Sequence, residues 1–138
     1  MGLKEEIQEQ VVLLGLSSDV VSCAEHDRSE LLAKIRAQYV EGAPCVWWLS
    51  LKGPQRTEPG NINDARRRLP EGTEWAWFIP DPDDGTEDLP IFRATVEVLP
   101  RLFNELGFFE YYLIAPELDW LLCETDHNQL VLAGALAE

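Results

Sequence analysis

The chain has little of what most catalytic and metal-binding chemistry requires. Its three cysteines, Cys23, Cys45 and Cys123, are odd in number and far apart, with neither a CxxC pair nor a zinc-type spacing. That excludes a disulfide framework and a thiolate zinc site as organising features, and leaves each cysteine as a small buried hydrophobe. There are two histidines, His26 and His127, and neither follows a Ser or Cys nucleophile signature. GxGxxG, P-loop, GxSxG and HExxH motifs are all missing, so no catalytic residue, metal or cofactor is expected. No apolar run approaches the ~18 residues of a membrane span. The start, MGLKEEIQEQ, carries no apolar signal segment, and Glu6 stands where a myristoylation motif requires Ser or Thr. A cytoplasmic location is the expectation.

Basic residues are scarce as well. Eleven Lys and Arg face twenty-five Asp and Glu, a formal net charge of −14. Such a surface repels phosphate backbones and anionic membranes, which argues against nucleic acid and membrane as partners. It favours a basic protein partner or a cationic ligand, or serves solubility alone.

What is present is enough apolar material for a core. Of 138 residues 46% are hydrophobic, so one domain spanning residues 1–138 is expected to fold without staples. Leu3, Ile7, Val11 and Leu14 recur at helical spacing, and Gly15 ends that helix. A second helix is predicted from Asp27 as N-cap, with Glu30 completing a capping box and Leu31, Leu32, Ile35 and Tyr39 as its stripe. Cys45 to Leu51 reads as a strand, Lys52 to Gly60 as a polar loop, and Glu74 to Ile79 as a strand. Between the last two, Asn63 or Asp64 caps a short helix containing Arg66, Arg67 and Arg68, which are expected to pair with the chain's own carboxylates. Pro80 to Pro90 reads as an acidic loop. Thr95 to Leu106 reads as a helix whose regular part starts late because of Pro100. A meander follows: Phe109 to Ile114, Trp120 to Glu124 and Leu130 to Ala133. The fold class is therefore α+β, a mainly antiparallel sheet of about five strands packed against two or three amphipathic helices.

These strands do not alternate apolar with polar. Tyr111 and Leu113 oppose Tyr112 and Ile114, and Trp120 and Leu122 oppose Leu121 and Cys123, so both faces of the sheet need cover. Either helices lie on both faces, or a second copy covers one, which makes a homo-oligomer, with a dimer favoured, an expectation.

Three constellations are candidate sites. Glu124, Asp126 and His127 fall within one turn, where they suit a general base or simply the turn itself. Asp81, Asp83, Asp84, Glu87 and Asp88 resemble the opening of a calcium loop, but Phe92 stands at its twelfth position instead of Glu, so a solvated acidic loop is the simpler reading. Trp47, Trp48, Trp75 and Trp77 are numerous for so small a domain, and core packing accounts for one or two of them.

The stretch Glu110 to Gly134, EYYLIAPELDWLLCETDHNQLVLAG, resembles a family of small uncharacterised bacterial proteins. In that family an EYY strand precedes a DWLLCEN-type strand and a His-containing turn. The resemblance implies a bacterial, cytoplasmic α+β protein and carries no functional residue. Here Thr125-Asp126-His127-Asn128 lacks the first of the family's two adjacent histidines, which removes a metal site built on a His pair.

Beside a mobile-element or accessory gene product with no more than a stable oligomeric fold, two functions are consistent with this sequence. The leading one is a non-enzymatic accessory protein, immunity- or antitoxin-like, that binds a basic protein through Asp81, Asp83, Asp84, Glu87 and Asp88 with Trp47 or Trp77 as anchors. The other is a small-molecule-binding protein or enzyme with an aromatic pocket rimmed by Glu124, Asp126 and His127.

Overall fold

The computed structural model describes residues 2–44, 46–82, 84 and 88–138. Helical spacing of Leu3, Ile7 and Val11 produces α1 (Leu3–Leu13), which buries Ile7 and Val11. Gly15 takes φ +71° while the Leu16 N–H reaches the Val11 carbonyl at 2.8 Å and the Gly15 N–H that of Val12 at 3.1 Å. This Schellman arrangement stops the helix where expected. Val20–Ser22 forms a short strand, β1. The next helix, α2 (Glu25–Tyr39), begins two residues before the predicted cap. Ala24 occupies the N-cap without a side-chain bond, and Glu25 and Asp27 instead sit in the first turn, where the helix dipole favours acids.

The largest departure from the sequence reading is Trp47–Ser50, a 3-10 turn rather than a strand. Local β-propensity loses to two distant partners: Trp47 packs on Tyr112 at 4.9 Å, and Trp48 hydrogen-bonds Glu110. The supposed polar loop contains strand β2 (Gln55–Pro59), whose exposed side chains hid it from any apolar pattern. Helix α3 (Ile62–Arg68) is capped by Asn61, not by Asn63 or Asp64. Asn61 Oδ1 accepts the Asn63 N–H at 2.9 Å, and Asp64 accepts the Asn61 N–H at 3.0 Å. Arg67 pairs with Asp64, and Arg68 with Glu58, as the acidic background suggests.

Strand β3 (Trp75–Asp81) runs further than predicted, and β4 (Phe92–Thr95) was not anticipated. A 3-10 turn, Val96–Val98, leads into α4 (Leu99–Phe103), so the expected long helix is broken, with Pro100 in the first turn of its α-helical part. The meander forms as read: β5 (Glu110–Ile114), β6 (Trp120–Glu124) and β7 (Gln129–Gly134).

Among the described residues the strands make one seven-stranded antiparallel sheet, rather than about five strands, in the order β1-β4-β3-β5-β6-β7-β2, with four helices rather than two or three. Every residue of β5 and β6 is buried. On one face Ile7, Val11, Ile62, Ala65, Leu99 and Leu102 pack with Phe78, Leu113, Leu122 and Leu132. On the other, Leu32, Ile35, Tyr39 and Trp47 pack with Ile79, Tyr112, Leu121, Cys123 and Val131. Each fully buried Val, Leu, Ile or Phe among them contributes about 1.5–3 kcal/mol, so both layers are large contributors. Among the described residues, the chain's own helices and the Trp47 turn thus pack on both faces of the sheet. Among the described residues, no helix is long and apolar enough to cross a membrane.

Candidate functional site

Strand alternation separates the acids at one end of the sheet. Asp81 pairs in register with Glu110, and Tyr111 with Glu124. Asp81 and Glu110 therefore share the α2 face with Tyr112 and Cys123, whereas Glu124 points to the α3–α4 face. All three carboxylates are buried.

On the α2 face, Glu110 accepts the Trp48 indole N–H at 2.8 Å and the Asp126 backbone N–H at 3.2 Å. The Trp48 backbone N–H donates to the Tyr112 hydroxyl at 3.2 Å. Burial, reinforced by Glu110, Asp81 and Glu124, pushes the Cys123 thiol well above its ordinary range. A thiol held protonated in this way is no nucleophile, and Cys123 acts as the small hydrophobe expected of it. Cys23 is half-buried and also raised by burial, while Cys45 lies outside the described residues.

On the α3–α4 face the Tyr111 hydroxyl donates to Glu124 Oε1 at 2.7 Å. A cleft of about 210 Å3 opens onto this pair, with Phe103, Phe108 and Phe109 among its walls and Asn61 and Asn104 at its edge. Phe103 lies 4.9 Å from Phe109 and 4.8 Å from Tyr111, ring centroid to ring centroid, in edge-to-face contacts. Burial raises the Glu124 carboxyl above the usual range, against the lowering effect of the Tyr111 hydrogen bond, and Asp64 adds to the rise.

The predicted acidic-loop residues do not share one environment. Asp81 is buried, and Asp88 pairs at 2.6 Å with Arg28, itself buried and also bonded to Glu25 and the Leu89 carbonyl. Asp84 is exposed, and Asp83 and Glu87 lie outside the described residues. Trp47 is a core residue, not a surface anchor. Trp77 is half-buried, its ring perpendicular to Trp75 at 5.0 Å. The Glu124, Asp126 and His127 cluster is split: Glu124 faces its cleft, and the other two sit on the exposed turn. Asp126 and His127 approach at 3.4 Å, with the His127 side chain 67% exposed and 6.0 Å from the Trp48 ring. Neither borders the Glu124 cleft. Among the described residues, no three His, Cys, Asp or Glu side chains converge as metal ligands.

At the opposite end of β3, Trp75 of the predicted aromatic set meets acids that the sequence did not single out. Two clefts, about 330 and 540 Å3, share Thr73, Glu74 and Trp75. Glu71, Glu117 and Asp119 border the first, and Asp19 and Glu97 the second. Arg93 reaches into the second and sets its guanidinium 4.2 Å from the Trp75 ring centroid, so this indole already holds one cation. The visible hint was the acid–aromatic sequence of Glu74-Trp75 at a strand start. No protein-family model, curated protein or solved structure matches the chain.

Proposed function

We propose that this protein is a non-enzymatic bacterial accessory protein of the cytoplasm that binds a basic protein partner, in the manner of an immunity protein or antitoxin. The observation that carries this reading is Trp75, shared by two clefts whose borders supply Asp19, Glu71, Glu74, Glu97, Glu117 and Asp119. The carboxylates around this indole, whose ring already carries the Arg93 guanidinium, are suited to the lysines and arginines of a cationic surface, and the net charge of −14 accelerates the encounter. This reading sets the binding surface at the Trp75 end of the sheet in preference to the Asp81–Asp88 loop, because Asp81 and Trp47 are buried and Asp88 is paired with Arg28.

The test is affinity capture from a bacterial lysate with the natural chain and with a Trp75→Ala, Glu74→Lys, Glu117→Lys variant, both checked for folding by circular dichroism. A basic protein retained at low salt by the natural chain and lost from the variant is the expected result. Equal retention by both removes the Trp75 surface from the account, and retention of no basic protein removes the function.

A further inference from the structure

We propose that the cleft closed at its base by Tyr111 and Glu124 binds an alkylammonium group, the terminus of a small organic amine or of a lysine side chain. This inference stands apart from the Trp75 surface, which lies at the other end of β3 and shares no residue with the cleft.

Glu124 is 5% exposed. A carboxylate so far from water is stable only when its charge is compensated. Among the described residues its one hydrogen-bond donor is the Tyr111 hydroxyl on Oε1; Oε2 has no protein donor and, since no buried side-chain oxygen there lacks a partner, is open to the cleft. No lysine or arginine is among the residues that line the cleft, and Asp64, itself paired with Arg67, adds negative charge nearby. The cleft therefore presents a carboxylate oxygen with no lysine or arginine among its lining residues.

The walls supply the other half of a cation receptor. Phe103, Phe108, Phe109 and Tyr111 border the cavity, and aromatic walls around a carboxylate bind ammonium groups through ring quadrupoles while excluding the water that would weaken the ion pair. Phe108 is 57% exposed, a large apolar ring left at the mouth with no core to fill. Size narrows the ligand further. A cavity of roughly 150 Å3 holds a benzene molecule, so about 210 Å3 suits a short alkylammonium rather than a nucleotide or a drug-sized ligand.

The experiment is a titration of the whole chain followed through the backbone amides of Gly107, Phe108 and Phe109 by two-dimensional NMR near neutral pH. The probes are n-butylammonium chloride, the neutral isostere 1-butanol, and lysine blocked at both ends. Saturable shifts are expected with n-butylammonium at roughly millimolar affinity, and binding of 1-butanol at least about tenfold weaker. Blocked lysine binding as well as n-butylammonium identifies a side-chain receptor, and n-butylammonium alone a free-amine site; both satisfy the proposal. Glu124→Gln, whose amide oxygen still accepts from Tyr111, is expected to weaken n-butylammonium about tenfold or more. Phe108→Ala, at an exposed position that does not threaten the fold, is expected to weaken it about threefold and decides the matter if the Gln variant fails to fold. Equal response to butanol and butylammonium, undiminished binding by either variant, or no saturable shift overturns the proposal.

Discussion

Trp48 donates its indole N–H to the carboxylate of Glu110, 62 residues away, at 2.8 Å. This one bond ties a 3-10 turn between α2 and β2 to the first residue of the central strand β5. It also explains how a charged side chain is accommodated at the edge of an apolar layer. The Asp126 N–H, on the same oxygen of Glu110, joins the β6–β7 turn to the same anchor.

Removing that donor tests the clasp. In Trp48→Phe the ring volume is mostly retained while a buried carboxylate loses a charged hydrogen bond, which costs about 1–3 kcal/mol. Urea unfolding should show a lower midpoint with an unchanged slope. A midpoint equal to that of the natural chain would mean that Glu110 is held without Trp48.

The pair Tyr111–Glu124 predicts a pH dependence of definite sign. The folded carboxyl titrates above its unfolded value because of burial, so the native state binds the more protons between the two. Its contribution to stability is complete below the unfolded value of about 4.3 and is lost as pH rises through the raised native one. Glu124→Gln has no charge to bury and keeps an oxygen for Tyr111. Its stability relative to the natural chain should therefore climb with pH over that interval and then level off, as read by thermal unfolding in a buffer series. A flat or falling difference would place the hydrogen bond from Tyr111 above burial.

Arg28 offers a contrast between a buried cation and exposed partners. Its side chain is 7% exposed, whereas those of Glu25 and Asp88 are both 77% exposed. When Arg28→Met removes the charge, the two acids return to water, but the Leu89 carbonyl loses a 3.0 Å donor. The expected loss is about 1–2 kcal/mol, below the 3–5 of a fully buried pair broken from one side. Chemical denaturation distinguishes the two ranges.

Gly134 and Gly15 both adopt positive φ, +65° and +71°, yet substitution should treat them differently. A Cβ at Gly15 meets open space, so Gly15→Ala costs about 1–2 kcal/mol of backbone strain. A Cβ at Gly134 falls 2.6 Å from the Asp119 carbonyl oxygen and 2.8 Å from the Tyr39 hydroxyl. That hydroxyl is itself bonded to the Leu118 carbonyl at 2.7 Å. Gly134→Ala adds a clash with backbone to the strain and should exceed Gly15→Ala by about 1–3 kcal/mol. Equal melting temperatures for the two variants would contradict the close approach.

How much of this was readable from the residues depends on range. The β5–β7 meander was legible because strands buried on both faces are continuous apolar runs bounded by turn residues, as in Tyr111 to Ile114 and Trp120 to Cys123. Strand β2 was not, since at the rim of the sheet Gln55, Arg56 and Thr57 are exposed and Glu58 is polar, so the segment carries no apolar signal. The Trp47–Trp48 segment misled because its conformation is decided by Tyr112 and Glu110, far along the chain. For the candidate sites the difficulty was the parity of strand side chains. Glu124, Asp126 and His127 are neighbours in sequence, but Glu124 ends a strand pointing to one face while the other two sit on a turn. The partner that matters, Tyr111, becomes visible once the β5–β6 register places it opposite Glu124.

The two rims of the sheet carry a consequence for handling the protein. At one rim β1 has three residues, and at the other β2 is charged and ends in Pro59, which has no N–H to offer. Neither provides a long greasy template on which a foreign strand can grow. Concentrated native protein should accordingly resist fibre formation, and any fibres should arise from partial opening that bares the run Trp120 to Cys123.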